Sequence, residues 1–303
     1  MTSIVSPTSA TTPADSFLWQ QSWKRFRRDR TALFGVVVLA VIILSVLLGP
    51  LVYTVSINQI DFSQAIQPPS WRHPFGTNDL GQDQMARLLV GGRISLAVGF
   101  AAMLVAIALG CTIGAIAGFY GGLFDLLLMR LTDLFLSLPQ LPLLLLILYL
   151  FREPVGAIAG PEAGTFVLVV VVIGILNWMS VARLVRASFL SLRERTFIRA
   201  VRALGARPRR LIWVHLLPNA LSPVIVAATL AVGTAILTES TLSFLGLGFP
   251  PDVPTWGRML YDAQNYLETA PHMALFPGLA IFLTVLSINF IGDGLRDALD
   301  PHE

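Results

Sequence analysis

The sequence predicts an all-α polytopic membrane protein of six helices with both termini in the cytoplasm. Three observations predict it. Hydrophobic residues make up 55% of the 303 residues and charged residues only 13%, with a mean hydropathy of +0.72. A soluble domain carries about 25% charged residues. Six apolar stretches each approach the ~20 residues that a bilayer requires. Finally, the segments 1–30, 119–133, 183–218 and 293–303 hold 16 of the 21 Lys and Arg. That bias places those segments inside, and the segments 54–93, 152–163 and 247–273 outside.

In chain order, residues 1–15 are rich in Ser, Thr, Pro and Ala and read as a disordered tail. They lack the basic region and apolar core of a signal peptide. Ser16 to Arg30 mixes Phe17, Trp19, Trp23 and Phe26 with Lys24, Arg25, Arg27, Arg28 and Arg30, a pattern suited to an interfacial helix on anionic lipid. A basic run can also bind nucleic acid, but here a span follows at once and no nucleic-acid partner is expected. Residues 1–30 form the tail and interfacial helix, and 31–303 form the transmembrane domain. The expected spans are Thr31–Leu48, stopped by Gly49-Pro50, then Ile94–Gly118, Leu134–Phe151, Thr165–Val181, Ala220–Leu245 and Met273–Ile291. Pro139, Pro142, Pro223 and Pro277 are expected to bend or interrupt their spans. Gly110, Gly114 and Gly118 recur every fourth residue and predict close approach of another helix of the same chain.

Between the fourth and fifth spans, residues 183–218 carry nine arginines and one acid, Glu194. Phe197, Ala200, Val201 and Leu204 make an apolar stripe at helical spacing, with Arg195, Arg199 and Arg202 beside it. Gly205 is placed to end this amphipathic helix and Pro208 to begin the next. Such a helix can lie on headgroups or present a face to another protein.

This block resembles the signature loop of ABC importer permeases, Glu-Ala-Ala followed by Gly and then Leu-Pro. FIRAVRALGARPRRLIWVHLLPN matches it at Ala200, Ala203, Leu204, Gly205, Leu217, Pro218 and Asn219, with Arg199 in place of Glu and Val201 in place of Ala. HPFGTNDLGQDQMARLLVGGRISL from His73, ESTLSFLGLGFPPDVPTWG from Glu239 and NFIGDGLRDALDP from Asn289 resemble segments of the dipeptide, oligopeptide and nickel importers. The resemblance covers most of the chain from Trp71 onward. It implies the type I ABC importer permease fold and a C-type subunit, paired with a B-type permease subunit, two ATPase subunits and a substrate-binding protein. It also implies that Arg195, Arg199, Ala200, Val201, Ala203, Leu204, Gly205 and Arg209 form the helix that the ATPase pushes. The charge at Arg199 is opposite to the one the signature expects. Peptides are the expected solute, with nickel chelates and glutathione-like peptides as alternatives.

No cofactor is expected in the chain itself. A phosphate-binding Walker loop needs Gly-Lys followed by Ser or Thr, and the single lysine, Lys24, precedes Arg25. ATP and Mg would bind partner subunits, so the chain is not expected to be an enzyme by itself. His73, His215, His272 and His302 are scattered without metal-ligand spacing, and Cys111 stands alone, so neither metal nor disulfide is expected. The outer loops, with Trp71, Gly76, Asp79 and Trp256, are expected to dock the binding protein. Glu239 is the one acid clearly inside a span and is a functional candidate by default. With Thr238 and Ser243 it is expected to line the translocation path or gate; the competing reading is a hydrogen bond locking the fifth span to a neighbour. A secondary transporter would need repeats, and a membrane enzyme would need converging catalytic groups; neither is legible.

Overall fold

Apolar composition and backbone hydrogen bonding together dictate helices here, because lipid offers the peptide groups no partner. The computed structural model describes residues 23–299, and among these there is no strand. The expected tail, the Phe17 and Trp19 portion of the interfacial stretch and the C-terminal Pro301–Glu303 lie outside the described residues. The longer helices are α1 (Arg30–Val52), α2 (Gln84–Tyr120), α3 (Gly122–Ser137), α4 (Gln140–Ala159) and α5 (Pro161–Ile175). They continue as α6 (Trp178–Leu192), α7 (Thr196–Ala203), α8 (Leu221–Phe244), α9 (Trp256–Ala263) and α10 (His272–Leu299). Five of them are long and apolar enough to cross a membrane, and α5 with α6 makes a sixth when that bent pair counts as one span.

Helix α2 is the axis of the bundle and touches α1, α5, α6 and α8, while α10 packs on α1 and α8. The small-residue stripe explains the tightest of these contacts. A Cβ on Gly110 would meet Val181 Cβ at 2.5 Å, one on Gly114 would collide with the Ala182 carbonyl, and one on Gly118 would meet Phe189 Cβ at 2.6 Å. The expected neighbour is therefore α6, packed backbone against backbone.

Two helices run well past the expected spans, α2 beginning at Gln84 rather than Ile94 and α10 ending at Leu299 rather than Ile291, and three further departures involve prolines or a bend. Gly49-Pro50 does not stop the first span; α1 continues to Val52. Proline removes an N–H and displaces the carbonyl four residues back, here Val46. Arg93 replaces the lost donor, giving Nε to Val46 O at 2.9 Å and Nη2 to Leu47 O at 2.7 Å. The third span does not begin at Leu134. The chain is extended at Leu138 and Pro139, and α4 starts at Gln140, so Pro142 falls in its first turn where no N–H partner is needed. Pro223 sits likewise in the first turn of α8, which leaves Pro277 as the one of the four named prolines inside a helix body. The fourth span is bent by 41° at Leu176–Asn177, and its second half, α6, extends through Arg183 and Arg186.

Trp23 stacks on Phe26, with ring centroids 5.9 Å apart, and Phe26 is buried against Ala32 and Ala298. The visible part of the interfacial stretch thus folds back onto the end of α10.

The glycine contact gives a direct test. Gly114→Val must move a backbone carbonyl rather than a side-chain tip, so its cost should reach at least the ~1–3 kcal/mol of ordinary overpacking. We expect it to fail to accumulate in membranes, whereas Gly278→Ala, whose nearest neighbour is 4.0 Å away, should accumulate normally. Immunoblots of membrane fractions would read both.

Candidate functional site

Two regions carry the polar chemistry, one at each end of the bundle. At the arginine end, α7 is an eight-residue helix whose C-terminus closes as a Schellman motif. Gly205 N–H donates to Arg202 O at 3.0 Å and Ala206 N–H to Val201 O at 3.3 Å, with Gly205 at φ +82°. Pro208 begins the following helical turn, as expected, and that turn leads through a π-helical stretch, Leu211–Leu216, toward α8. Ile198, 0% exposed, plugs α7 into a core of Val185, Phe189, Leu211, Ile212 and Leu216.

The expected apolar stripe is split. Val201 joins Ile198 on the inward side, while Phe197, Ala200 and Leu204 face away, Leu204 being 87% exposed. Ile198 was not part of the expected stripe, although its three-residue spacing to Val201 carries the signal. Arg195, Arg199, Ala203 and Arg209 are also exposed. Arg199 donates to Glu194 at 2.9 Å, and this hydrogen bond holds the Glu194 carboxyl below its ordinary range. Arg202 lies over the Phe119 ring at 5.8 Å. Arg186 pairs with Asp125 through two nitrogens, which ties α6 to α3 and lowers the Asp125 carboxyl.

At the loop end, Asp83 caps α2 by accepting from Ala86 N–H at 2.8 Å. Its other oxygen meets Tyr53 Oη at 2.7 Å and His73 Nδ1 at 2.8 Å. Arg87 is 2% exposed. It reaches Ile57 O at 3.3 Å in one loop and Pro251 O at 3.4 Å in the other, with Asp262 3.7 Å away. Asp262 also pairs with Arg258 at 3.0 Å; burial nevertheless raises its carboxyl above the ordinary range. Arg87 was not singled out from the sequence, where it counts only as one of few cations outside the basic block.

Of the expected docking residues, Trp71 is fully exposed and Asp79 half-buried. Gly76 and Trp256 turn inward. A Cβ on Gly76 would meet Gln67 O at 2.5 Å. Trp256 is 1% exposed and donates Nε1 to Leu88 O at 3.1 Å. The apolar ring is worth more inside than on a rim once its N–H has a partner.

Glu239 is 1% exposed, enclosed by this chain. Its Oε1 accepts from Ser243 Oγ at 2.7 Å and its Oε2 from Ser95 Oγ at 3.1 Å, while Ser95 Oγ accepts from Trp256 N–H at 3.2 Å. The carboxyl group therefore joins α8, α2 and the start of α9. Ser243 is buried with it, whereas Thr238 lies on the opposite, open side of α8 with Thr234 and Thr241. No group of three or more His, Cys, Asp or Glu able to hold a metal occurs among the described residues.

This is the architecture of a multi-pass membrane transport subunit, with polar ends and no converging catalytic set among the described residues. The comparisons make it specific. Residues 110–303 match the family of binding-protein-dependent transport system inner membrane components, and residues 18–69 match the N-terminal transmembrane domain of oligopeptide transport permease C. The chain belongs to this family: it is an ABC importer permease of the C type, a multi-pass protein of the inner membrane. It is 42% identical, over 93% of its length and 90% of the relative's, to the dipeptide transport system permease protein DppC of Alkalihalophilus pseudofirmus. It is 39% identical, over 93% and 91%, to the glutathione transport system permease protein GsiD of Pectobacterium atrosepticum. Its fold matches an inward-facing MetNI methionine ABC transporter chain with a TM-score of 0.55, covering 71% of this chain and 97% of that one at 22% identity.

Two substitutions test the loop end. Arg87→Ala leaves Asp262 without one of its two cations in a buried setting, where breaking a pair costs about 3–5 kcal/mol. Removing Asp262 as well should recover part of the loss, so thermal unfolding of the four variants of this cycle should give a coupling well above the ~0.5 kcal/mol of independent sites. Glu239→Leu strands two buried hydroxyls and should lower assembly, whereas Glu239→Gln keeps an acceptor and should assemble. Equal, normal yields of both by size-exclusion chromatography would remove the hydrogen-bond lock.

Proposed function

We infer that this chain is one of two permease subunits of an ATP-driven importer for peptides. The observation that carries the reading is α7, a short arginine-bearing helix anchored by Ile198 and capped at Gly205, with Phe197 and Leu204 offered to the surroundings. Exposed large apolar side chains amid arginines at the polar end of a membrane protein suit contact with another protein. The similarity to proteins named as dipeptide, peptide and glutathione permeases supports peptides as solute.

In this reading the arginine end is cytoplasmic, as the charge bias requires, and both termini lie there with it. ATP and Mg bind two separate ATPase subunits, whose closure moves α7. Ile198 and Val201 pass that movement to α6 and, through the π-helical stretch, to α8. Arg199, with Glu194 beside it, meets an acidic counterpart on the ATPase, in keeping with its charge. The loop end faces the binding protein, with Trp71 and Asp79 available for docking, while Gly76 and Trp256 hold the loops in shape. The open threonine face of α8, Thr234, Thr238 and Thr241, faces the second permease subunit and lines the path. Glu239 holds that face in place from behind.

The test is a reconstitution. The purified chain alone should hydrolyse no ATP, and the assembled complex should take up labelled dipeptides in the presence of ATP and binding protein. Leu204→Asp and Gly205→Val should each keep the chain in the membrane but reduce uptake at least tenfold, about 1.4 kcal/mol or more of lost coupling. At Gly205 the cost comes from φ alone, since nothing lies within 4 Å of an added Cβ. ATP turnover by the pure chain, or normal uptake by both variants, would overturn the reading.

A further inference from the structure

Two interruptions of the helical backbone occur at one place. The chain breaks between α3 and α4 at Leu138–Pro139, and between α5 and α6 at Leu176–Asn177. Residues on both sides of the first break, together with the second break and the start of α6, line a single cavity of about 100 Å³, including Phe135, Gln140, Leu143, Asn177, Met179 and Ser180. That is several times the ~10–15 Å³ that one ordered water needs. The walls are fixed: Phe135 meets Trp178 edge-on, with ring centroids 6.4 Å apart, and Leu176, Trp178 and Met179 are buried.

Its polar groups are of one kind. Gln140 and Ser180 are exposed on its mouth and Asn177 is half-buried. Asn177 Nδ2 donates to Ile173 O at 2.7 Å, a bond that does not use its Oδ1 acceptor. All three groups are neutral, and two are carboxamides with the donor and acceptor pattern of a peptide bond. The N-termini of α4 and α6 both begin at the cavity wall, adding backbone N–H groups and partial positive charge. From the loop end, α4 spans 20 residues and α5 15 residues, so at 1.5 Å per residue the cavity lies roughly 22–30 Å along the bundle, in its arginine half. One turn beyond it, Arg183 pairs with Asp133, each side chain half exposed. Amides and charges at this depth are costly against lipid and belong on a water-filled or protein-lined face.

We propose that this cavity is a solute way-station in the inner half of the translocation path, where Gln140, Asn177 and Ser180 bind the backbone amides of a passing peptide. The proposal rests on the peptide-importer reading above. Recognition of the peptide bond rather than of side chains suits a permease that must pass many sequences, and neutral amides release their cargo more readily than an ion pair would.

The test uses the whole complex in proteoliposomes, with its binding protein and a labelled dipeptide. Absence of peptide uptake by the unaltered complex removes the importer reading, and this site with it. Given uptake by the unaltered complex, Gln140→Leu with Asn177→Leu should reduce it about tenfold. ATP turnover stimulated by the loaded binding protein should stay within about twofold, because the ATPase contact is untouched. Unchanged uptake in the double variant would overturn the proposal, as would parallel loss of uptake, ATP turnover and assembly, which marks a purely structural role. A dipeptide containing photo-leucine, irradiated during turnover, should attach within 135–143 or 176–180. Attachment confined to other segments would also overturn it.

Discussion

Everything at the two ends of this molecule depends on how closely α2 approaches α6. With Gly110, Gly114 and Gly118 the helices meet backbone to backbone, and no side chain larger than hydrogen fits between them. In lipid there is no hydrophobic gain from pairing two apolar helices, so such association rests on dispersion at short range. The contact positions α6, and α6 in turn sets where the chain emerges to form α7. The same α2, at its other end, carries Asp83, Arg87 and Ser95, on which both loops and the carboxyl of Glu239 converge. One helix therefore fixes the geometry of the loop end and of the arginine end at once.

The second constraint is that every backbone group at membrane depth needs a partner. The chain meets it at Pro50 by sending Arg93 from α2 to the carbonyls freed on α1. It meets it at the bend in the fourth span partly through Asn177, whose side chain takes the Ile173 carbonyl. These polar side chains complete a helix that has been broken, and where the break is wide enough a cavity remains. The location of polar atoms inside the bundle follows from this accounting.

Much of this was legible in the sequence and some was not, for physical reasons. The number of spans, the helix ended by Gly205 and the glycine contact all rest on local periodicity or on backbone conformation, which a few neighbouring residues determine. The direction that a side chain takes from a helix carrying apolar residues on several sides is not local. Phe197, Val201 and Leu204 look equivalent along the chain, yet only Val201 packs against the core that encloses Ile198. Trp256 reads as a rim aromatic until Leu88 offers its carbonyl from another helix. Arg93 and Arg87 read as loop charges because their partners lie at the far end of α1 and in the 246–255 loop. Each miss is a side chain whose partner is distant in sequence.

The two ends differ in how they treat charge, and the difference fits what each would have to do. At the loop end, Arg87 and Arg258 both pair with Asp262 in a shielded setting, where removing one member leaves the others without a partner charge. At the arginine end, Arg199 and Glu194 are more than half exposed, and Arg183 with Asp133 half so. Exposed pairs are worth about 0–1 kcal/mol and exchange partners readily. The loop end thus shields its charges, while the arginine end, apart from the Arg186–Asp125 pair, keeps them exposed. That end is where α7 is held by a single deeply buried residue, Ile198, while its outward face stays open. A helix fastened at one point and free on its other side can tilt when pushed without unfolding, and it is joined to α6 and, through the π-helical stretch, to α8. The exposed pairs of the arginine end contribute little stabilisation. In the proposed importer reading, such loose pairing suits a surface whose contacts exchange with those of a partner.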